Sequence, residues 1–342
     1  MALNYSQRLQ NLQQRKYDPE LRKSMVSEAF GKSFVPENIE YLLEATKSID
    51  SKYNEKTIEA STRVKNHLEN EFQLHFLRAY RTQGSVRTKT NIKTYSDIDL
   101  LTIIDRYFFV GPGVANDNPY TASDHDDDIL EMRKQATKIL RKIYDEVDDS
   151  GSKCISIKNK SLNRKVDVVF AFWYNTKQYE DNQNNEYYRG IHLYDFPKKQ
   201  READFPFATI GQVNSKGDNT YDGSRKGTRL IKNLRADNEN IDLNSFKLTS
   251  IVHSIKSNDL EYTGVGSEIN IAQSISSQLT RLIDDKEFRI NIDSPNGMEK
   301  PLKDDACVSE MKKLKKDLDE LIIDCASELR HSLTVKKGIL NY

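Results

Sequence analysis

The stretch YSDIDLLTII at residues 95–104 decides the fold, because its residues alternate as those of a β-strand do. In an extended chain, successive side chains point to opposite faces, so Asp97 and Asp99 share one face while Ile98 and Leu100 share the other. Aliphatic residues continue on both faces as far as Ile104. The pattern predicts a central strand of a sheet, and the first residues of that strand are acidic.

A carboxylate at the start of such an apolar strand is costly unless it meets a cation or hydrogen-bond donors. Asp97 and Asp99 lie about two strand rises of ~3.3 Å apart on one face, so they repel each other. A third acid, Asp167, is the single charge in VDVVFAFW at residues 166–173. Three carboxylates on neighbouring strands make a hard-oxygen site that suits Mg²⁺ or Mn²⁺, and two ions ~3.5 to 4 Å apart would fit phosphoryl transfer.

Just upstream, TQGSVRTKT at residues 82–90 ends a predicted helix and enters a turn. Gly84 lets the backbone approach a ligand closely, and Ser85 offers a hydroxyl and an N–H to phosphate oxygens. The cations Arg87, Lys89 and Lys93 would offset the charge of a triphosphate or be solvated. The aspartate pair alone also fits two solvated acids at a strand start, whereas its combination with this turn and with the third acid favours a functional site.

The remaining sequence predicts a mixed α/β (α+β) fold of two lobes, with the sheet in the first. Two more strands are predicted at residues 154–158 and 165–173. A helix is predicted within residues 124–147 and begins at a cap, Ser123 or Asp124.

Helical spacing of apolar residues predicts a largely helical N-terminal part that reaches Gln83. We therefore divide the chain into N-terminal helices at 1–82 that brace the core, a catalytic core at 83–205 and a helical lobe at 206–342 that closes over the cleft. The lobe contains four candidate helices, near 225–236, 244–256, 268–285 and 305–331.

Composition excludes several classes of protein. Lysine and arginine total 52 and aspartate and glutamate total 52, so the overall charge does not favour sequence-independent binding to long nucleic acid. The three cysteines, Cys154, Cys307 and Cys325, form no CxxC pair, which argues against a zinc site or a disulfide scaffold. The sequence has neither a signal-peptide pattern nor an apolar run of membrane-spanning length, which predicts a cytoplasmic protein with no membrane partner.

The order Gly84-Ser85, Asp97-Ile98-Asp99 and Val166-Asp167 resembles the nucleotidyltransferase superfamily that contains DNA polymerase beta. More narrowly, QGSVRTKTNI, SDIDLLTII, VDVVF and GSRKGTRLIKNLRAD are together similar to bacterial enzymes related to cyclic GMP-AMP synthase, called CD-NTases. The matching motifs lie between about residues 83 and 235, and the C-terminal lobe agrees in helical character. The resemblance implies a two-lobed, polymerase beta-like core.

The resemblance also implies a role for each matching residue. Gly84 and Ser85 would hold the donor triphosphate, and Asp97 and Asp99 would bind both metal ions. The third aspartate, Asp167, would bind the ion that activates the acceptor hydroxyl. Lys232, in RLIKNLR, matches the position of a lysine that contacts the donor phosphates.

CD-NTases make cyclic oligonucleotide signals, so the resemblance implies a metal-dependent nucleotidyltransferase that joins ATP and other ribonucleoside triphosphates into a cyclic di- or oligonucleotide and releases pyrophosphate. It implies a role in bacterial anti-phage signalling, with a downstream effector bound by the product rather than by the protein. The zinc insertion of the animal DNA sensor is absent, which argues against direct DNA sensing. Two alternatives stay open: template-independent addition of nucleotides to an RNA end or tRNA, and a non-catalytic nucleotide-binding module.

Two charged clusters favour structural interpretations. Acids in the first turn of a helix, such as those at 124–128, are stabilised by the helix dipole and are usually solvated. A second, basic cluster is more typical of the solvated edge of a β-hairpin than of a groove for an acceptor RNA. This cluster comprises Lys153, Lys158, Lys160, Arg164 and Lys165.

Overall fold

The computed structural model describes residues 3–16, 35–94, 97–116, 123–161 and 163–340. The chain forms two compact units that are each discontinuous in sequence. The sheet unit comprises residues 50–89 and 95–212, and the helical unit comprises residues 1–49, 90–94 and 213–342. The three-part division predicted from the sequence stays a prediction.

The sheet unit is built from a mixed sheet with helices against it. Its helices are α3 (Ser51–Glu71), α4 (His125–Ile143) and α5 (Lys177–Asp181). Its strands are β1 (Arg78–Gln83), β2 (Ile98–Val110), β3 (Val147–Asp148), β4 (Cys154–Asn159), β5 (Arg164–Asn175), β6 (Gly190–Asp195) and β7 (Gln200–Asp204).

The seven strands are arranged around β2 and β5, which run parallel. The order is β1-β2-β5-β4-β3, and β6 pairs with the second half of β5 and with β7. The strand predicted at 95–104 is confirmed as an internal strand, although it begins at Ile98 and continues to Val110; Tyr95 and Ser96 lie outside the described residues.

The two faces of the sheet have separate apolar cores. Ile98 and Leu100 of β2 pack with α3 and α4 on one face. On the other face, Leu101 and Ile103 pack with Trp173. The alternation predicted for residues 97–104 is therefore confirmed. Asp97 and Asp99 belong to the face of Leu101, at the end of the strand where that core stops.

The prediction for this part of the chain was wrong at the end of one helix and missed several strands. The helix expected to reach Gln83 ends at Glu71, and residues 78–83 form β1. All six residues of β1 are half-buried, so the strand shows no contrast between an apolar and a polar face in its sequence RAYRTQ. Strands β6 and β7 were not predicted. Helix α4 is correct, with Asp124 as its cap.

The helical unit surrounds one apolar core. It contains all four helices predicted in the second half, although the last is longer. Its helices are α1 (Tyr5–Lys16), α2 (Glu37–Thr46), α7 (Gly223–Ala236), α8 (Ser245–His253), α9 (Ser267–Asp284), α10 (Lys286–Ile290) and α11 (Ala306–Leu340). An additional helix, α6 (Pro206–Asn219), was not predicted. Within the described ranges, no helix combines the length and the apolar character needed to cross a bilayer.

Candidate active site

Four polar side chains lie in one cross-strand row on the face of the sheet that carries Leu101. Gln83 of β1 is opposite Asp99 of β2, Asp99 is opposite Asp167 of β5, and Asp167 is opposite Ser156 of β4. Neighbouring strands lie about 4.7 to 4.9 Å apart, so the register alone brings the carboxylates of Asp99 and Asp167 close together. Asp97 precedes β2 and lies on the rim of this row, with its side chain 53% exposed.

Asp99 has a perturbed acidity. Burial raises the pKa of its carboxyl to about 6, and the nearby carboxylates of Asp167 and Asp97 add to this rise. A hydrogen bond from Gln83 Nε2 to Asp99 Oδ2, at 3.1 Å, acts in the opposite direction. Asp167 accepts a hydrogen bond from the hydroxyl of Ser156. The donors on β1 and β4, the strands that flank β2 and β5, hold the carboxylates of Asp99 and Asp167 in place.

Lys165 supplies a positive charge to this cluster of acids. Its Nζ lies 3.4 Å from Oδ2 of Asp97 and 3.3 Å from Oδ2 of Asp167. Burial lowers the pKa of the ammonium, but the carboxylates of Asp167 and Asp97 outweigh this effect and the net shift is upward. The lysine therefore stays charged and partly offsets the repulsion within the trio.

The turn after β1 places Gly84 and Ser85 at the same end of the sheet. Gly84 has a φ of +103°, which is strained for any residue with a Cβ. A Cβ added to Gly84 would lie 4.0 Å from the carbonyl oxygen of Asp97. The N–H of Arg87 donates to the carbonyl oxygen of Gly84 at 3.1 Å, and the hydroxyl of Thr88 donates to that of Ser85 at 3.2 Å. Gly84 and Ser85 thus belong to a hydrogen-bonded turn beside the acids.

Arg87 is exposed and lines a cleft of 440 Å³ in the sheet unit. The cleft runs along the outer side of β1, where Tyr80 and Thr82 line it together with Lys65 of α3. None of the three aspartates, all of which the structure describes, lines this cleft. A role of Arg87 in nucleotide binding stays a prediction.

Lys232 is buried on α7 in the helical unit. Its Nζ donates to the carbonyl oxygen and the hydroxyl of Thr90, each at 3.3 Å. Burial and the nearby guanidinium of Arg229 lower the pKa of the ammonium to about 8. The predicted contact of Lys232 with donor phosphates remains a prediction.

The acids at the start of α4 have a structural role, as the sequence suggested. Among the described residues, Asp124, His125 and Asp126 are close enough together to offer three ligand atoms to a metal ion. However, Asp124 caps the helix by accepting from the N–H groups of Asp126 and Asp127, and Asp126 pairs with Arg201 at 3.0 Å. These interactions already account for both carboxylates, so we do not assign a metal ion to them.

Sequence reasoning missed Gln83 and Ser156 and interpreted the basic cluster only in part. Lys158 and Lys160 pair with surface acids, as expected for a solvated edge. Arg164, by contrast, is buried and donates to Thr57 at 2.9 Å. Lys165 lies two positions before Asp167 on one strand, so the alternation of β5 was a signal that it shares the face of the acids.

Comparison with known proteins places this site in a family, although no family model matches the chain. The cyclic dinucleotide synthase CdnE of Yersinia aleksiciae is 30% identical over 297 residues, which cover 85% of this chain and 77% of the relative. The chain belongs to the CD-NTase family. It is accordingly an enzyme, a nucleotidyltransferase of the cyclic oligonucleotide synthase type, as the sequence motifs predicted.

Solved structures agree with this assignment. The STING-associated CdnE c-di-GMP synthase of Capnocytophaga granulosa has a TM-score of 0.79 and 28% identity to this CD-NTase, over 95% of this chain and all of the relative. The CdnE c-UMP-AMP synthase of Rhodothermus marinus, determined with Apcpp and Upnpp, has a TM-score of 0.65 and 16% identity, over 84% of this chain and 96% of the relative. The polymerase beta-like fold predicted from the sequence is confirmed.

The acids of this CD-NTase fit a divalent metal ion. Carboxylate oxygens are the ligands that hard cations prefer, and a buried carboxyl with a raised pKa gains most when a cation relieves its repulsion. Asp97, Asp99 and Asp167 supply such oxygens on one face of the sheet. Sulfur ligands, which softer metals prefer, are represented nearby only by Cys154 among the described residues, and burial raises the pKa of its thiol.

Proposed function

We propose that this CD-NTase joins two ribonucleoside triphosphates into a cyclic dinucleotide through two successive phosphoryl transfers. The observation that carries the proposal is the row of Asp99 and Asp167 in direct register, with Asp97 on its rim and the Gly84-Ser85 turn beside it. Two acids that were merely solvated on the surface would not need hydrogen-bond donors from the neighbouring strands, as Asp99 has from Gln83 of β1 and Asp167 has from Ser156 of β4.

The three aspartates would hold two Mg²⁺ or Mn²⁺ ions, with Asp97 and Asp99 contributing to both and Asp167 to the one on the acceptor side. Bound there, the ions would supply Lewis-acid stabilisation of the charge that develops on the transferring phosphate. The protein's own contribution is to fix the acids in one register and to shield Asp99 partly from water. Gln83 and Ser156 keep the inner carboxylates oriented.

The Gly84-Ser85 turn would bind the donor triphosphate. Because Gly84 has no side chain, the backbone can approach the phosphates, and Ser85 can donate from its N–H and its hydroxyl. A ribose hydroxyl oxygen of one nucleotide then forms a bond to the α-phosphorus of the other, its proton is released, and the bond from that phosphorus to the bridging oxygen breaks as pyrophosphate leaves. A second transfer of the same kind closes the ring.

GTP is the first substrate to test, because the structurally similar protein of Capnocytophaga granulosa is a c-di-GMP synthase. The purified protein is incubated with Mn²⁺ or Mg²⁺ and each ribonucleoside triphosphate, singly and in mixtures, with and without RNA, and the products are identified by mass spectrometry. Cyclic dinucleotides support the proposal. Extension of RNA without cyclic products would replace it with terminal nucleotide addition, and binding without turnover would indicate a nucleotide-binding module.

Substitutions in the row test which residues carry the reaction. We expect Asp99→Asn and Asp167→Asn to lower the rate of pyrophosphate release roughly a hundredfold or more, because each removes an anionic oxygen ligand of the proposed metal ions that would stabilise the transferring phosphate. Asp181→Asn, on exposed α5 of the same unit, is the matched control and is expected to keep wild-type activity. Wild-type turnover by Asp99→Asn would refute the assignment.

The cyclic product would act as a second messenger on a separate effector protein in defence against phage. The association with STING is a property of the Capnocytophaga granulosa relative and supports this step for the present chain. The test compares phage plaques on bacteria that express the enzyme together with its neighbouring genes, in wild-type and Asp99→Asn forms. Equal plaque numbers for the two forms would contradict the defence role.

A further inference from the structure

Lys165 occupies a special position among the basic residues of the sheet. It lies two residues before Asp167 on β5, so its side chain shares the face of the acids, and its Nζ contacts both Asp97 and Asp167. Both aspartates are proposed ligands of the ion on the acceptor side. A monovalent ammonium therefore lies between carboxylates that a divalent ion would need.

The neighbouring Lys158 shows that this contact is specific. Lys158 of β4 is directly opposite Lys165 in the register and is similarly exposed, 50% against 43% for the side chains. Its ammonium nevertheless turns to Glu146, at 3.8 Å. Two lysines with the same charge, on paired positions of adjacent strands, thus differ in whether they contact the acids.

The arrangement of the acids agrees with a charge held between them. Among the described residues, Asp97, Asp99 and Asp167 do not bring one oxygen each within 4.8 Å of the other two. Asp97 and Asp167 instead each contact the same ammonium nitrogen, at 3.4 and 3.3 Å. For all three aspartates to converge on a metal ion, Lys165 has to release at least one of its carboxylates.

We propose that Lys165 is a resident counter-cation that divalent metal ions must displace to enter the site. This inference rests on the proposed metal site and assigns Lys165 a positioning role in it. The lysine stabilises the metal-free enzyme by offsetting the repulsion of the trio, and by the same contact it weakens the binding of a metal ion on its own.

The test measures binding of Mn²⁺ alone, without nucleotide, by electron paramagnetic resonance of the free ion and by calorimetry. Removing a pair of partly exposed ion contacts changes a binding constant by roughly two- to tenfold, so Lys165→Met is expected to bind Mn²⁺ tighter by that factor. Its metal-free melting temperature should fall below that of the wild type, and the increase in melting temperature on adding Mn²⁺ should be larger.

Two matched variants separate the contact from general electrostatics. Lys158→Met makes the same charge change on the paired position and should bind Mn²⁺ nearly as the wild type does. Lys165→Arg keeps the charge and should not bind the ion tighter. Equal affinities for Lys165→Met and Lys158→Met would overturn the inference, as would weaker binding by Lys165→Met.

Failure of the underlying site gives a different result. Asp99→Asn and Asp167→Asn should each abolish the Mn²⁺ signal of the wild type. If they leave it unchanged, the proposed metal site is wrong and the inference falls with it. If they abolish it while Lys165→Met behaves as the wild type, the site stands and only the role of Lys165 is refuted.

Discussion

The proposed binding of a metal ion by Asp99 would depend on pH. Burial and the neighbouring acids raise the pKa of its carboxyl to about 6, so the group is protonated below that pH and a metal ion must displace the proton. We therefore expect Mn²⁺ affinity to be nearly constant above pH 7 and to fall by up to about tenfold per pH unit below pH 6. Calorimetry from pH 5 to pH 7.5 checks this, with circular dichroism confirming the fold at each pH.

Displacement of the Asp99 proton by Mn²⁺ can also be measured directly. Mn²⁺ added near pH 6 should release protons, and Asp99→Asn should release none. An affinity that stays constant from pH 7.5 to pH 5 would mean that the carboxyl is already ionised throughout this range, which would contradict the dominance of burial over the hydrogen bond from Gln83.

At the scale of residues, the sequence predicted the acids but not their partners. Asp97, Asp99 and Asp167 could be found because a charge within an apolar run is a strong local signal. Gln83 and Ser156 are ordinary polar residues in polar segments, and only the strand register shows that they lie beside the acids. The contact of Lys165 with the acids was hidden because Lys158 and Lys160, which precede it in the same basic cluster, do lie on a solvated edge.

At the scale of elements, strands and helices were predicted where at least one face is clearly apolar. Prediction failed where every residue of the element is only partly buried. Strands β2 and β5 are apolar on both faces and were recognised. Strand β1 follows a long helix, is half-buried throughout and contains two arginines, so its sequence carries no period-2 contrast. Its position depends on pairing with β2, which is a tertiary contact.

The turn after β1 requires glycine at its first position. Gly84→Ala forces a Cβ into a φ of +103°, which costs about 1 to 2 kcal/mol, and relaxation of the turn would move the N–H of Ser85. We expect a modest loss of stability together with a large loss of triphosphate affinity. Thermal unfolding and a nucleotide-binding assay measure the two effects separately.

Gly113 is the matched control for this substitution. It lies in the same unit, has a φ of +76° and has open space around its Cβ position, so Gly113→Ala should lose similar stability and keep nucleotide affinity. Equal affinities for the Gly84 and Gly113 variants would show that the turn does not hold the triphosphate.

Helix α7 begins at a glycine for a steric reason. A Cβ on Gly223 would lie 1.7 Å from the carbonyl oxygen of Leu260, and a backbone atom cannot move aside cheaply. Gly223→Ala is expected to destabilise the helical unit by roughly 3 kcal/mol or more. A Cβ added to Gly227 would instead meet side-chain methyl groups of Ile271 and Ile275, which can shift. Denaturant unfolding should therefore show a smaller loss of stability for Gly227→Ala. Similar losses for both variants would contradict this account.

At the scale of the whole molecule, no pattern in the sequence indicated that the N-terminal residues belong with the C-terminal half. Helical spacing of apolar residues identifies a helix but not the helices that it packs against. The apolar stripe of one helix could pack against the stripe of many others. In the structure, α1 and α2 pack on the core of the helical unit together with α7 and α11. Buried polar contacts between residues more than 190 positions apart fix this pairing.

Asp237 makes two of these contacts with a side chain that is shielded from solvent. Its side chain is fully buried, pairs with Arg15 of α1 at 2.6 Å and accepts from the hydroxyl of Tyr41 of α2 at 2.7 Å. Asp237→Asn leaves the guanidinium of Arg15 without its counter-charge in a buried position, which typically costs about 3 to 5 kcal/mol. We expect the helical unit to unfold at a lower denaturant concentration and α1 to lose protection from hydrogen exchange first. Asp242→Asn, an exposed change of the same kind, should leave both measurements unchanged. If α1 keeps its protection in Asp237→Asn, apolar packing alone holds the N-terminal helix in place.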